Sequence, residues 1–235
     1  MREIVFDTET TGLNANGGDR LVEIGCIELV NRCETGNSFH AYFNPERPMP
    51  AEAEAVHGLS NAFLADKPLF ADRVDELLEF LGTDAALVAH NASFDFGFVD
   101  AELKRARRAP LDRSRMVDTV AMARQMHPGA KHSLDALCVR YGIDRSHRVK
   151  HGALLDAELL AQLYIEMTGG RQIGLELLAD SANGDDPAFG AAVAAVAGSD
   201  RPYREARPHA PSAGELARHA AFVATMANPL WNQAE

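Results

Sequence analysis

The stretch Ile4-Val5-Phe6-Asp7-Thr8-Glu9-Thr10-Thr11-Gly12 limits most what this chain can become. Ile4, Val5 and Phe6 are apolar and β-rich, so the run reads as a first strand with Asp7 and Glu9 at its end. Side chains alternate faces along a strand, so Asp7 and Glu9 point the same way and Thr8 the other. Two carboxylates side by side repel, and one is driven neutral unless a cation sits between them. Oxygen ligands of this kind suit Mg²⁺ or Mn²⁺. Taken alone, Asp-x-Glu before Gly12 reads equally as a polar strand end and a turn.

The rest of the chain adds acids and histidines at the ends of other elements. Leu21–Val30 reads as a mostly buried second strand and Ser38–Phe43 as an alternating third, which gives an antiparallel meander with the first. Pro45, Pro48 and Pro50 interrupt regular structure before a short helical turn, Ala51 to Leu59, which carries Glu52, Glu54 and His57. Val74, Leu77, Leu78 and Leu81 share one helical face within Arg73–Leu81. The buried strand Ala86–Ala89 leads into His90-Asn91-Ala92-Ser93-Phe94-Asp95 and a helix expected from Phe96 to Arg107. An aspartate at Asp95 reads either as an N-cap or as a third functional carboxylate. Met116–Thr119 ends a short strand at Asp118, and a helix runs on from Val120 to Met126. Ser133 is placed to cap the next helix, which stops at Gly142.

His151 and Asp156 stand five residues apart at the start of an apolar helix from about Ala153 to Met167. On one continuous helix they would sit roughly 140° apart. Both reach one site only if His151 lies on the entering loop, which Gly152 permits.

Composition narrows the class. The 235 residues are 46% hydrophobic, enough for one sizeable domain with an appendage. Cys26, Cys33 and Cys138 lack metal-type spacing and are odd in number, which fits a reduced setting and argues against zinc. No apolar run reaches membrane-spanning length and the first residues read as a strand rather than a signal peptide, so a soluble, cytoplasmic protein without a membrane partner is expected. The net charge of −11 is unevenly spread, with residues 102–150 at net +7. Lys104, Arg105, Arg107, Arg108, Arg113 and Arg115 fall in this basic segment, which reads as a phosphate-contacting surface or as a solvated helix face.

Asp7-Thr8-Glu9-Thr10-Thr11-Gly12, the run His90 to Asp95 and the run His151 to Asp156 occur in the order and at the separations of three sequence motifs. Together they resemble those of the DnaQ-like exonucleases of the DEDD type, in the histidine subclass. The resemblance covers about Met1 to Thr168. It implies an α/β fold of the ribonuclease-H-like kind: a mixed five-stranded sheet flanked by helices, with a flexible C-terminal tail after it. It implies a 3′→5′ exonuclease with two Mg²⁺ or Mn²⁺ ions held by Asp7, Glu9, Asp95 and Asp156, and His151 as general base. The expected reaction is in-line attack of water on the terminal phosphodiester, which releases nucleoside 5′-monophosphates. Glu52 and His57 match the family's contacts to the terminal nucleotide, alongside Asp7, Glu9 and Asp156. Glu54 is near enough to compete with Glu52. Ser133 to Cys138, with His151 to Asp156 and then Met167-Thr168-Gly169-Gly170, is most similar to the proofreading epsilon subunits of bacterial DNA polymerase III.

After Gly170 the composition changes. An exonuclease domain over 1–170 would be succeeded by a peptide at 171–178, a linker at 179–213 and a polymerase-binding segment at 214–235. Ser181–Gly198 is rich in alanine and glycine, and Pro202, Pro208 and Pro211 interrupt the next stretch. Glu215–Met226 has helical register, with Leu230 and Trp231 beyond it. The resemblance implies that this segment orders on the polymerase alpha subunit. Gln172-Ile173-Gly174-Leu175-Glu176-Leu177 resembles the peptide by which bacterial proteins bind the sliding clamp, with Leu175 and Leu177 as apolar anchors and Gln172 hydrogen-bonding at the pocket rim. The substrate expected is the single-stranded 3′ end of DNA. Two other readings stay open: a free-standing nuclease of RNA ends or short oligonucleotides, and a non-catalytic tether between polymerase and clamp.

Overall fold

The computed structural model describes residues 1–146, 148, 150–169 and 210–226. The chain divides into two units, Met1–Leu175 and Glu176–Glu235. The first is built on five strands: β1 (Arg2–Thr10), β2 (Leu21–Val30), β3 (Cys33–Tyr42), β4 (Ala86–Ala89) and β5 (Met116–Asp118). Their order across the sheet is β3-β2-β1-β4-β5. The first three form the antiparallel meander, and β4 and β5 add on in parallel. Helices α1 (Ala51–His57), α2 (Asn61–Ala65), α3 (Phe70–Leu81), α4 (Ala92–Arg105), α5 (Thr119–Met126), α6 (Leu134–Tyr141) and α7 (Ala153–Met167) flank this sheet. This is the mixed five-stranded sheet flanked by helices that the resemblance implies.

β1 is central and buried on both faces, which is why its apolar run is continuous. Ile4 and Phe6 enter a core with Leu77 of α3 and Phe96 and Val99 of α4. Val5 enters the opposite core with Leu137 of α6 and Leu160 of α7. The alternation that separates these two cores continues past Phe6. It turns Asp7 and Glu9 toward the α7 side and Thr8 toward the α4 side.

Three local features differ from the expectation. β3 starts at Cys33 rather than Ser38, because Asn31 and Arg32 both take left-handed backbone angles (φ 51° and 61°) and make a two-residue hairpin turn. Cys33–Asn37 is exposed, so it lacks the alternation by which a half-buried strand is recognised. α4 begins at Ala92, four residues early, with Asn91 at φ 65° before it. Asp95 is therefore a buried residue of the first turn and not an N-cap. The short helix α2, capped by the Ser60 hydroxyl accepting from Phe63 N at 3.2 Å, was not anticipated.

Much of the basic segment is tied down within the fold. Arg105 pairs with Glu102, Arg108 with Asp75 and Arg113 with Asp100. Arg115 donates to the carbonyls of Leu81, Gly82 and Ala85. Arg105, Arg108, Arg113 and Arg115 are thus engaged within the fold around α3, α4 and β5.

In the second unit, α8 (Ala213–Ala224) carries a capping box, with the Ser212 hydroxyl and the Glu215 carboxylate each satisfying the other's backbone N–H. Leu216 and Phe222 are exposed on it. The clamp-like peptide Gln172–Leu177, nearly all of the expected linker, and Leu230 and Trp231 lie outside the described residues. Among the described residues no helix is long and apolar enough to cross a membrane.

Candidate active site

Four carboxylates meet where β1, α4 and α7 come together. Asp7 and Glu9 leave β1 on the α7 side. Asp156, in the first turn of α7, faces them, and Asp95 approaches from the first turn of α4. The Thr8 hydroxyl donates to Asp95 Oδ1 at 2.7 Å in a fully buried contact. His151 lies outside α7, on the loop before the Gly152 cap, and its Nδ1 is 3.2 Å from Asp156 Oδ2. Glu9, His151 and Asp156 each present a ligand atom within 4.8 Å of the others. Asp7, Glu9, Asp156 and His151 all line one open cleft of about 280 Å³.

The electrostatics result from packing acids against acids. Burial, and then the charges of Asp95, Glu9 and Asp156, hold the Asp7 carboxyl well above the usual carboxylate range. Burial, with Asp156 and Glu23 beside it, pushes Glu9 up to about 8. Glu23 stands directly opposite Glu9 in the β1–β2 ladder. Asp95 rises to about 7 through burial, a rise that the hydrogen bond from Thr8 opposes. At neutral pH these groups cannot all be charged together at low cost. A hard divalent cation relieves that conflict, and the carboxylate oxygens gathered here are the donors that fit such an ion.

Sequence reasoning missed three residues here. The Arg148 guanidinium donates to Asp156 Oδ1 and Oδ2, each at 2.6 Å, to Asp135 Oδ1 at 2.8 Å and to His151 Nδ1 at 2.7 Å. It sits three residues before His151 in the basic segment, which is the only signal that pointed to it. Thr8 was legible as facing away from Asp7 and Glu9, and its partner Asp95 is the reason. Gly25 is the third: it pairs with Asp7 across the β1–β2 ladder, and a Cβ there would lie 2.3 Å from the backbone of Leu154. The first turn of α7 can therefore rest directly on the sheet beside Asp7.

Asn91 supports the site from outside the cleft, whereas His90 lines it beside Asp7 and Glu9. His90 Nδ1 meets the Thr119 hydroxyl at 2.9 Å. Asp118 accepts from the backbone N–H groups of Asn91 and Val120, so it fastens the β4–α4 turn and caps α5.

A second cavity, of about 530 Å³ and mostly apolar, shares Thr8 and Glu9 with the cleft and extends to α1. Glu52 and His57 line it, together with Leu13, Val56 and Phe94, whereas Glu54 does not. His57 Nδ1 accepts from Leu59 N at 3.0 Å, so its ring proton is on Nε2. That Nε2 is buried without a hydrogen bond of normal geometry, although the Thr10 backbone is near enough to favour the protonated ring. Burial outweighs that and lowers the His57 pKa.

The exonuclease family model of the RNase T type matches residues 4–164. The chain is 52% identical over 181 residues to the DNA polymerase III subunit epsilon of Rickettsia felis, covering 76% of this chain and 79% of that one. It is 50% identical over 177 residues to the subunit epsilon of Escherichia coli K12, covering 72% of each. Among solved structures, exonuclease X in complex with 5′ overhanging duplex DNA superimposes with a TM-score of 0.56 at 28% identity, over 70% of this chain and 90% of that one. The nuclease domain of 3′hExo, a DEDDh family member bound to rAMP, superimposes with a TM-score of 0.62, over 71% of this chain and 91% of that one. Its 15% identity bears on the fold alone. Sheet order, clustered acids and these relatives agree: the chain belongs to the DnaQ-like exonucleases, on the branch of the epsilon subunits, and is a 3′→5′ exonuclease.

Proposed function

We propose that this exonuclease removes mispaired nucleotides from the 3′ end of DNA for the replicative polymerase, with two Mg²⁺ or Mn²⁺ ions held by Asp7, Glu9, Asp95 and Asp156. The observation that carries this reading is the meeting of Asp7, Glu9, Asp156 and His151 at one cleft beside an apolar cavity, with Asp95 near enough for its charge to raise the Asp7 carboxyl. Bound there, divalent ions lower the pKa of a water and stabilise the charge that grows on the phosphate and the leaving 3′-oxygen. His151 takes the water's proton as general base in this reading, which its half-exposed position at the cleft beside Asp156 supports. The 530 Å³ cavity receives the terminal nucleotide, its apolar wall against the base and sugar. The Nε2–H of His57 and the carboxylate of Glu52 supply a donor and an acceptor to that nucleotide. Asp7, Glu9 and Asp156 border the same nucleotide at its phosphate.

Purified protein should digest a mispaired primer with Mg²⁺ and release 5′-monophosphates. Asp7→Ala should abolish that activity while circular dichroism stays native, because the lost group carries charge rather than packing. Near-native turnover by Asp7→Ala overturns the metal assignment. Preference for RNA ends over a primer terminus would favour a free-standing nuclease instead.

The epsilon-subunit relatives support a working place on the polymerase. The exonuclease domain would span 1–170, with 179–213 as linker and 214–235 docking on the alpha subunit in the cytoplasm. The exposed Leu216 and Phe222 of α8 give that segment an apolar surface. Truncation near Thr168 should keep nuclease activity and lose co-elution with the polymerase. For the sliding clamp, a peptide spanning Arg171 to Leu178 should bind, and Gln172→Ala and Leu175→Ala should weaken it. A tethered weak peptide of this kind gains through effective concentration.

A further inference from the structure

We propose that Arg148 is a built-in competitor for the divalent ions, occupying the Asp156 carboxylate and the His151 lone pair until a cation displaces it. The inference rests on Asp156 being a metal ligand. Arg148 holds Asp156 in a two-pronged ion pair, 2.6 Å to each oxygen, with side-chain exposures of only 9% and 4%. Each oxygen of the carboxylate therefore already accepts from the guanidinium, whose positive charge stands where a cation would approach. The same guanidinium reaches His151 Nδ1 at 2.7 Å. A guanidinium has donors and no acceptor, so Nδ1 must be the acceptor and the ring proton lies on Nε2. In this arrangement His151 has no free lone pair with which to accept a proton from water. One side chain thus blocks an acid and the base together.

A way out is present in the structure. Arg148 also borders an open cavity of about 450 Å³ with Asp135, Arg145, Lys150 and His151. Asp135 already accepts from the Arg148 Nη1 at 2.8 Å and is 46% exposed. A displaced guanidinium keeps this partner while it swings outward. Arg145, which pairs with Asp135 at 2.7 Å, and Lys150 make the receiving cavity cationic, as suits a phosphate backbone passing the site. Loading of the ions would thereby free Asp156 and His151 and turn a third positive charge toward the substrate.

The test is Mn²⁺ binding to the full chain at pH 7.5, measured by calorimetry, for the wild type, Arg148→Gln and Arg148→Lys. Removing one partner of a buried ion pair leaves an uncompensated charge for the metal to neutralise, so Arg148→Gln should bind at least about tenfold tighter. Arg148→Lys keeps a charge without the fork and should fall between. A residue that served only the fold would loosen metal binding when replaced. Nitrogen NMR of His151 should show an unprotonated Nδ1 accepting a hydrogen bond in metal-free wild type, with the signal shifting as Mg²⁺ is added. Equal or weaker Mn²⁺ affinity in folded Arg148→Gln overturns the proposal while leaving the metal site in place. Should Arg148→Gln not fold, a His151 signal unchanged through saturating Mg²⁺ overturns it in the wild type alone. Absence of Mn²⁺ binding from all three proteins overturns the metal assignment, and the competition with it.

Discussion

Gly25 lies so close to Leu154 that a Cβ on the glycine would fall 2.3 Å from the Leu154 Cα and from its backbone nitrogen. Gly25 is the partner of Asp7 in the β1–β2 ladder, and Leu154 stands two residues before Asp156 on α7. The missing side chain is what lets the acid of the helix meet the acids of the strand. Gly25→Ala should push the first turn of α7 off the sheet. Overpacking against backbone costs about 1–3 kcal/mol of stability. The larger effect should be on Mn²⁺ affinity, since Asp156 moves with the turn. Native metal binding and native melting in Gly25→Ala would show that the contact is slack.

Thr8 and Asp95 are 87 positions apart and joined by one buried hydrogen bond. Thr8→Val keeps the shape and removes the donor, so Asp95 Oδ1 loses its partner. A hydrogen bond to a charged group contributes about 1.5–3 kcal/mol, and that loss is expected in stability at pH 8. Without the donor that opposes its rise, the Asp95 carboxyl should titrate even higher. A displaced ligand should also cost roughly 10–100-fold in turnover. Carbon NMR of the Asp95 carboxyl in metal-free protein checks the direction: a pKa that stays put or falls contradicts the role given to Thr8.

How much of this was legible depended on whether residues act through their own faces or through partners. β2, β4 and α7 were placed to the residue, because continuous apolar runs bounded by turns or glycines leave little choice of period. Asp7, Glu9, Asp95, His151 and Asp156 were found as motif members, and the fold brings them to one place. Asp95 reads as a functional carboxylate, with a cap as its alternative; the helix start expected at Phe96 is what keeps the cap open, whereas Asn91 in a left-handed conformation starts the helix earlier. β3 was shortened because its first half faces solvent and its turn uses Arg32 where glycine is usual. Arg148, Thr8 and Gly25 act on residues 8, 87 and 129 positions away, and one-dimensional spacing does not carry that. In the basic segment the charge is plain from the sequence, whereas the intramolecular partners Glu102, Asp75 and Asp100 are not.

His151→Ala should lower turnover by roughly 10²–10⁴-fold, the usual scale for a general base. The side chain is 47% exposed, so its removal leaves no buried cavity and the melting temperature should hardly move. Substrate binding, read by fluorescence anisotropy of a 3′-labelled oligonucleotide, should be largely kept. The pH–rate profile of the wild type should carry a limb that His151→Ala lacks. An unchanged profile would remove His151 from proton transfer.

The last prediction couples pH, metal and stability through the raised carboxyls. Glu9 at about 8, Asp95 at about 7 and Asp7 well above its usual value all bind protons more tightly in the folded chain than in the unfolded one. Where the folded state binds more protons, stability falls as pH rises. The contribution is therefore fully present below the unfolded carboxylate range, near pH 4, and is lost as pH climbs through 7 to 8. Glu9 and Asp95 each contribute on the order of a few kcal/mol across that window, at no more than about 1.4 kcal/mol per pH unit, and Asp7 acts in the same direction. In chelator, the melting temperature should decline from pH 5 to pH 9. Divalent ions compete with protons for the same oxygens, so Mg²⁺ should stabilise little at pH 5 and increasingly above pH 7. At about 100 times its dissociation constant an ion adds about 2.7 kcal/mol. The net charge of −11 adds a general repulsion of the same sign, so the discriminating comparison is Glu9→Gln. That variant keeps the general repulsion nearly unchanged and removes one raised carboxyl. Its decline in chelator should be shallower than that of the wild type, and the gap between Mg²⁺ and chelator at pH 8 should narrow. Parallel curves for the two proteins would place the pH dependence outside the acid cluster.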